Sequence, residues 1–537
     1  VQDTRRATFL YVFVAICAFL LFWNLGAYGV WDDEANAAIF AHNVWTTGDT
    51  NAYDGRNIVA FNQGLELTGI KNRVFPPLQY FYAAPFLGVF GRTAFAARLP
   101  FALAALGAFG LGAYWVASSR RRWGSIASYA IVTLTSVSLF LHSRQARYYS
   151  LAWGLTVAIG YLYVHRHRSN RHQIFLCLAG TALLATHYLV YGAVMICLGV
   201  DYVFFELRRR NDTWARRFTF LASQIAGGVA VLGVFNPIGR KVTSYVPEDW
   251  LDDKLTLFWW NLRDLNTNEC LWLPFVGVAT FVAILKRDLW LGRAVLALFV
   301  YALTTSVLSP QAVGRCELSD FRYLIGVFPL CIVITARTVE RITEPLGPRG
   351  SVFAAVVLSL ALTVTNAPHR MFTSWVAPTQ RLVLRSTPLA WYGEVRTPMR
   401  SAYAESAEWL NRNTFAEALV HVTPNYALYP LIFHAPRLRY MWQFGQEHRA
   451  TYPMLDAHHF RGSGVPDVIV AFGNHVNEAR GLVAQLKRRG IEYEPEIWLD
   501  VRSPDQTRPE IFWWRPFETE PQNRAQNQGT FIFKRAR

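Results

Sequence analysis

The feature that most constrains this chain is a series of about eleven apolar runs, each near the roughly 20 residues that a helix needs to cross the hydrocarbon core of a bilayer. They are residues 8–25, 98–117, 125–141, 148–164, 173–186, 189–207, 218–236, 271–285, 294–308, 322–337 and 351–366. Stretches such as Leu10 to Leu25, Ile126 to Leu141 and Val352 to Val364 carry no charged side chain, while charges crowd between the runs and after about residue 367. With 52% hydrophobic and 17% charged residues, the composition departs from that of soluble enzymes and points to lipid as the solvent for the first two thirds. The first run, Ala7 to Leu25, has no clear small-residue cleavage site and reads as the first spanning helix.

The formal charge of +16 would suggest nucleic-acid binding in a soluble protein. Here the excess sits in short loops between apolar runs, and no basic stripe interleaved with stacking aromatics stands clear of them, so nucleic acid is excluded as a partner. With the N-terminus inside, the connections Arg120-Arg121-Arg122, His165 to His172, Arg208 to Arg217, Lys286 to Arg293 and Arg337 to Gly350 are cytoplasmic, and all are rich in Lys or Arg. This assignment requires that Pro76 to Phe90 does not span. That stretch opens with Pro76-Pro77, is broken by Pro85 and Gly88, and fits a helix lying at the interface. The outer connections are then 26–97, a short one around 142–149, a tight turn near His187, and 237–270 and 309–321.

The division that follows is a transmembrane module over residues 1–366, with interfacial helices in its first outer loop, 26–97, and an extracytoplasmic domain over 367–537. The tail alternates β-like runs at Ala418 to Val422, Val468 to Phe472, Glu510 to Trp514 and Thr530 to Phe533 with amphipathic stretches at Ala402 to Asn411 and Val476 to Arg488, the pattern of a small α/β domain. Cys17, Cys177, Cys197 and Cys331 lie within apolar runs as core residues, whereas Cys270 and Cys316 flank outer loops and are candidates for a disulfide.

Trp31-Asp32-Asp33-Glu34 places three carboxylates where the first helix leaves the bilayer. Ala37, Phe40, Ala41, Val44 and Trp45 follow at helical spacing, the stripe of an amphipathic helix able to lie on the membrane. One role for these acids is to favour that helix's dipole; the other is to act as a base on an acceptor hydroxyl while a lipid-linked donor keeps its tail in the bilayer. A second polar cluster, His142-Ser143-Arg144-Gln145-Ala146-Arg147-Tyr148-Tyr149, brings two arginines and two tyrosines to the same side. Arginine near hydrocarbon needs a partner, and a lipid phosphate or a nearby carboxylate would serve. Asp320-Phe321-Arg322-Tyr323 repeats the theme before another span, and His187-Tyr188 lies at a turn on that side. The loop 237–270 carries Glu248, Asp249, Asp252, Asp253, Asp264 and Glu269 with Trp250, Trp259 and Trp260, a composition suited to a metal or a sugar face and equally to an interfacial loop.

In order, Asp33-Glu34, Pro76-Pro77-Leu78-Gln79-Tyr80, Ala96-Ala97-Arg98-Leu99-Pro100, Ser143-Arg144-Gln145-Ala146-Arg147-Tyr148, Thr186-His187-Tyr188 and Arg322-Tyr323-Leu324 resemble the motifs of the GT-C glycosyltransferases over roughly residues 8–366. Within that superfamily the chain is most similar to bacterial relatives of the protein O-mannosyltransferases and the lipid A aminoarabinose transferases. The resemblance implies a polytopic helical membrane protein of the cytoplasmic membrane, a donor of the polyprenyl-phosphate-sugar type, an active site opening on the outer face, and inversion at the anomeric carbon. It implies Asp33 as the catalytic residue with Glu34 beside it, and Arg147, Arg322 and Tyr323 as the donor phosphate site, with Arg144 and Tyr148 as further members of that set and His187 as a donor or metal contact. The aminoarabinose transferases carry Glu-Lys directly before the double proline, where this chain has Val74 and Phe75. Any phosphate contact by that lysine passes to Lys71 or Arg73, and neither aminoarabinose as the sugar nor lipid A as the acceptor follows. The expected acceptor is a hydroxyl on a lipid, a glycan or a protein, and a divalent cation is compatible with the sequence without being required by it. The alternative is a transporter or flippase that binds the same lipid phosphate and moves it without chemistry.

Overall fold

The computed structural model describes residues 2–118, 122–207, 214–237, 249–269, 273–311, 313, 321–365, 384, 386–502 and 529–536. Cys270, Cys316, Asp320, the run Glu510 to Trp514 and the arginines at 120 and 121 lie outside these residues.

Most of the apolar runs form helices. In chain order these are α1 (Gln2–Phe22), α2 (Asp32–Thr47), α3 (Leu78–Phe90), α4 (Ala94–Ser118), α5 (Trp123–Leu134), α6 (Val137–Ser143), α7 (Tyr149–His165), α8 (Asn170–Thr186), α9 (Tyr188–Asp201), α10 (Trp214–Leu232), α11 (Trp250–Glu269), α12 (Leu273–Leu285), α13 (Leu289–Leu308), α14 (Phe328–Thr343) and α15 (Gly347–Val364). Among the described residues, five helical stretches are long and apolar enough to cross a membrane by length and composition: Thr4–Phe22, Ala94–Ser118, Tyr188–Glu206, Leu289–Leu308 and Arg322–Val364. The last contains α14 and α15, which turn at Gly347 and pack on each other. The pair α5 and α6 adds a sixth stretch if it is one broken span, bent by 59° around Thr135-Ser136. The α3 helix has 13 residues, short of a span.

Local chemistry sets the helix ends. Ser169, His187 and Asp288 cap α8, α9 and α13 by accepting the amides of His172, Val190 and Leu291. Gly48, at φ 75°, ends α2 in the left-handed region with its amide bonded to the Val44 carbonyl.

At one end of the bundle, buried ion pairs tie the helix termini together. Arg293 holds Asp201 and Glu206, Arg166 holds Glu206, and Arg337 and Arg341 both hold Asp288. Arg166, Asp288, Arg293, Arg337 and Arg341 belong to connections that the sequence assigns to the basic side, and Asp201 and Glu206 stand at the end of the apolar run 189–207. The long first loop and the C-terminal part meet at the other end of α7 and α9.

Strands β1 (Leu67–Thr68) and β2 (Lys71–Asn72) form a small antiparallel hairpin within the first loop. The C-terminal part holds a mixed five-stranded sheet built from β3 (Leu419–Thr423), β4 (Arg439–Tyr440), β5 (Val468–Phe472), β6 (Ile497–Leu499) and β7 (Thr530–Lys534) in the order β4-β3-β5-β7-β6. Strand β3 runs parallel to β4 and β5, and β7 runs antiparallel to β5 and β6. All five residues of β5 are buried, as a central strand covered on both faces requires. Helices Ala402–Asn413, Leu428–His434 and Val476–Lys487 accompany the sheet.

Two expectations from the sequence need correction. The stripe on α2 does not lie on lipid: Ala37, Phe40, Ala41 and Val44 are buried in one apolar core with Tyr80, Ala84 and Leu87 of α3 and with Leu428, Ile432, Val420 and Phe472 of the C-terminal part. An amphipathic stripe specifies only that something apolar covers it, and here protein does. The stretch 237–270, read as a loop, contains the 20-residue helix α11, which packs on α13. Asn261 donates to Ser306, and Lys254 donates to the carbonyls of Ser309 and Gln311.

Candidate active site

The site forms where α2 begins. Trp31 is the N-cap residue, so Asp32, Asp33 and Glu34 occupy the first helical turn, and no side chain caps the helix from the Trp31 position. Asp33 is one-third exposed and Glu34 is buried, a separation that one step of about 100° around a helix produces.

Asp33 Oδ2 meets Arg147 Nη2 at 3.2 Å and Arg322 Nη1 at 2.8 Å. The two arginines come from elements 175 positions apart in the chain: Arg147 precedes α7, and Arg322 lies in the short 3-10 segment Phe321–Val327 that leads into α14. Arg147 also donates to the Asp33 carbonyl at 3.2 Å, and its guanidinium lies 5.5 Å from the Tyr148 ring and 5.9 Å from the Tyr149 ring. The Tyr148 and His187 rings lie 4.3 Å apart, tilted by 36°, and His187 in turn lies 5.8 Å from Tyr323. Asp33, Arg147, Arg322, Tyr148, His187 and Tyr323 are thus a contiguous cluster of one carboxylate, two guanidinium groups and three aromatic rings. Two guanidinium groups within reach of one carboxylate make a local excess of positive charge, suited to an oxyanion.

Glu34 has a different set of partners. Its Oε1 accepts Arg98 Nε at 2.8 Å and the Ala146 amide at 2.7 Å; its Oε2 accepts Arg98 Nη2 at 2.6 Å and the Trp31 amide at 3.3 Å. Arg98 further donates to the carbonyls of Leu25, Tyr28 and Gly29. Glu34 and Arg98 therefore bind together the end of the first helix, the start of α2 and the residue next to Arg147. The sequence reading placed no role on Arg98. Its signal was a guanidinium at the head of an apolar helix, which requires a buried partner.

Three other candidates stand outside the cluster. Arg144 donates to the carbonyls of Leu20, Leu21 and Trp23, closing the C-terminal end of α1. Lys71 and Arg73 pair with Asp49 at 2.8 and 2.6 Å, and the Arg73 hydrogen bonds hold the Asp49 carboxyl well below the usual carboxylate range. Arg73 also lies 5.1 Å over Phe235, whose carbonyl accepts the Tyr188 hydroxyl, so it reaches the neighbourhood of His187 through two intermediaries. Among the described residues no three His, Cys, Asp or Glu side chains gather to hold a metal ion.

A cavity of about 200 Å³ with a strongly apolar lining lies inside the bundle. Phe109, Trp153, Val194, Tyr301, Gly326 and Val327 line it. Gly326 and Val327 belong to the same 3-10 segment as Arg322, and Trp153 is one helical turn beyond Tyr149, so the cavity and the charged cluster share two supporting elements.

The crystal structure of ArnT from Cupriavidus metallidurans in the apo state superposes with a TM-score of 0.53 at 13% identity, over 88% of this chain and 95% of that one. The same protein bound to undecaprenyl phosphate gives 0.54 at 13% identity, over 97% of each chain. The chain shares the fold of these two ArnT structures. The archaeal oligosaccharyltransferase AglB from Archaeoglobus fulgidus, solved with an inhibitory peptide and a dolichol-phosphate, is more distant, with a TM-score of 0.41 at 10% identity over 88% of this chain and 70% of that one. No protein-family model and no curated protein sequence matches the chain. The shared fold and the helices that are long and apolar enough to cross a membrane point together to a membrane protein.

Proposed function

We propose that the chain is a membrane glycosyltransferase that moves a sugar from a polyprenyl-phosphate donor to an acceptor hydroxyl, with inversion, on the outer face of the cytoplasmic membrane. The observation that carries this reading is the meeting of Asp33 with Arg147 and Arg322. All eleven apolar runs span in this reading, with the basic connections inside and the sheet-bearing part, residues 367–537, outside. The undecaprenyl phosphate bound by the ArnT of the same fold supports a phosphate-linked lipid as the donor, and the apolar cavity lined by Gly326 and Val327, in the 3-10 segment of Arg322, suits part of its hydrocarbon tail.

A glycosyl phosphate already carries a good leaving group, so two tasks remain. Asp33 takes the proton of the acceptor hydroxyl as its oxygen attacks the anomeric carbon. The bond from that carbon to the phosphate oxygen breaks, and the electron pair leaves on the polyprenyl phosphate, where Arg147 and Arg322 meet the growing charge. Tyr148, His187 and Tyr323 form the aromatic wall beside them. Donor binding draws the two guanidinium groups toward the phosphate and away from Asp33, which leaves the carboxylate a stronger base for the step that follows.

Asp33→Asn is expected to fold normally, to bind the donor, and to lose transfer by a factor on the order of 10²–10⁴. The assay is sugar transfer from labelled polyprenyl-phosphate-sugar by purified protein, with donor binding measured separately; turnover near that of the unaltered protein removes Asp33 from its role. The 59° break between α5 and α6 is in keeping with a transporter, whose binding sites use discontinuous helices. Release of sugar from the donor in detergent, with no membrane and no gradient, separates the two, because a transporter leaves the glycosidic bond intact.

A further inference from the structure

A second polar cleft, unconnected with Asp33, lies where the first loop meets the C-terminal part. His42, Asp54, Arg56, Arg92, Glu417 and Arg439 line it around a volume of about 460 Å³. Three guanidinium groups face two carboxylates. Arg56 Nη2 pairs with Glu417 Oε1 at 2.6 Å, and Arg439 Nε pairs with the same carboxylate. Arg439 Nη1 also reaches Asp456, at the rim, at 3.3 Å. Arg92 Nη2 meets Asp54 Oδ2 at 3.3 Å, while Asp54 Oδ1 is taken by the amides of Arg56 and Asn57. Arg92 Nη1 and His42 Nδ1 are buried and have no hydrogen-bond partner. A buried guanidinium N–H without an acceptor is costly, and the side chain that carries it lines the cleft beside Arg56 and Arg439.

The surroundings indicate where an acceptor would come from. Arg92 sits between the end of α3 and the first residue of α4, one of the apolar stretches long enough to span, which puts it at the boundary between lipid and water. Exposed apolar side chains flank it: Val89 is 69% exposed, Phe90 53%, and Trp45, one turn beyond His42 on α2, 52%. His42 is nine residues beyond Asp33, about two and a half helical turns, which turns the two side chains to opposite sides of α2. The cleft is therefore separate from the transfer site.

We propose that this cleft binds the phosphate headgroup of an anionic lipid, drawn from the leaflet on the side of the C-terminal sheet, with the lipid chains lying along Trp45, Val89 and Phe90. Arginine pairs with phosphate in a fork that lysine cannot reproduce, and an apolar rim beside a guanidinium set is what an amphiphile needs and a free ion does not. This assignment goes beyond the transfer reaction and stands without it.

The test uses the full-length protein in a neutral detergent, titrated with phosphatidylglycerol, phosphatidylcholine or inorganic phosphate, with bound lipid read by native mass spectrometry and Tm measured alongside. Phosphatidylglycerol is expected to bind at least tenfold more tightly than phosphatidylcholine and to raise Tm, and Arg92→Gln to weaken that binding by tenfold or more. Arg439→Gln provides the same comparison if Arg92→Gln does not fold. Equal binding by the folded variant and the unaltered protein, or no preference for the anionic lipid, overturns the proposal. Inorganic phosphate that binds as tightly as the lipid and displaces it also overturns it, in favour of a site for a soluble anion.

Discussion

Both carboxylate oxygens of Glu34 are occupied, by Arg98 and by the amides of Trp31 and Ala146, whereas Asp33 presents its carboxylate to the guanidinium groups of Arg147 and Arg322. Adjacent acids thus have different surroundings: Glu34 holds the loop that delivers Arg147, and Asp33 faces the two guanidinium groups, where the proposed transfer needs its base. A buried ion pair is costly to break, because the remaining charge stays out of water without compensation. Glu34→Gln is therefore expected to cost about 3–5 kcal/mol, read as a fall in Tm of the purified protein. Replacing both partners, with Glu34→Gln and Arg98→Met together, removes the uncompensated charge and should restore part of that stability, the remainder being the donor lost to the carbonyls of Leu25, Tyr28 and Gly29. A double variant no more stable than Glu34→Gln would show that the pair is not the source of the loss. The resemblance singled out Asp33, with Glu34 beside it; the residues alone did not say which acid is covered, because a helical turn fans three successive side chains over about 200° and only the packing decides which one is buried.

The 3-10 segment Phe321–Val327 is the element on which the site depends most. It carries Arg322 and Tyr323 at its start, while Gly326 near its end has room for no side chain: a Cβ there would stand 2.6 Å from the Tyr301 hydroxyl and 2.9 Å from a Val190 methyl. Gly326→Ala must displace either the segment or its neighbours, at a cost of about 1–3 kcal/mol by overpacking. The expected result is a several-fold loss of donor affinity with a modest fall in Tm, measured by donor titration and thermal unfolding. Unchanged donor affinity would mean that Arg322 is not held by this contact. The apolar runs 322–337 and 351–366 announced α14 and α15, and the strands at 419–423, 468–472 and 530–534 were legible from their β-like runs. The covering of α2 and the helix α11 were not, since the first depends on what lies opposite and the second on a charged, amphipathic stretch that reads equally as a loop at an interface.

Across the whole molecule, the first loop and the C-terminal sheet share one apolar core, and His434 helps to join them: its Nε2 accepts the Val30 amide at 3.2 Å. Burial, with Arg98 adding to it, pushes the His434 imidazole down to about 4. Burial likewise brings His421 down to about 4 and, with its neighbour His458, His459 to about 3. An unfolded chain protonates its histidines near pH 6.5. Between about pH 6.5 and 4 the unfolded state therefore binds more protons than the folded one, and folding loses stability as pH falls through that window; above it the contribution is complete. Each such histidine adds a slope of up to about 1.4 kcal/mol per pH unit there. The Tm of the purified protein is expected to fall on acidification from pH 7 to 4.5, and His434→Gln to flatten part of that fall. A Tm independent of pH over this range would contradict the buried neutral state.

The amino-acid order by itself determined where the apolar runs, the basic connections and the polar clusters lie, because each follows from local composition; the described residues show five helical stretches long enough to cross a membrane, or six with the broken pair, where eleven spans were expected. Only the tertiary structure decided which of those polar residues meet. Asp33, Arg147 and Arg322 are brought together by the packing of α2, α7 and α14, and Arg144, equal to Arg147 in the sequence, is turned to the end of α1. Contacts between residues hundreds of positions apart depend on how whole elements are oriented, and no local pattern carries that information.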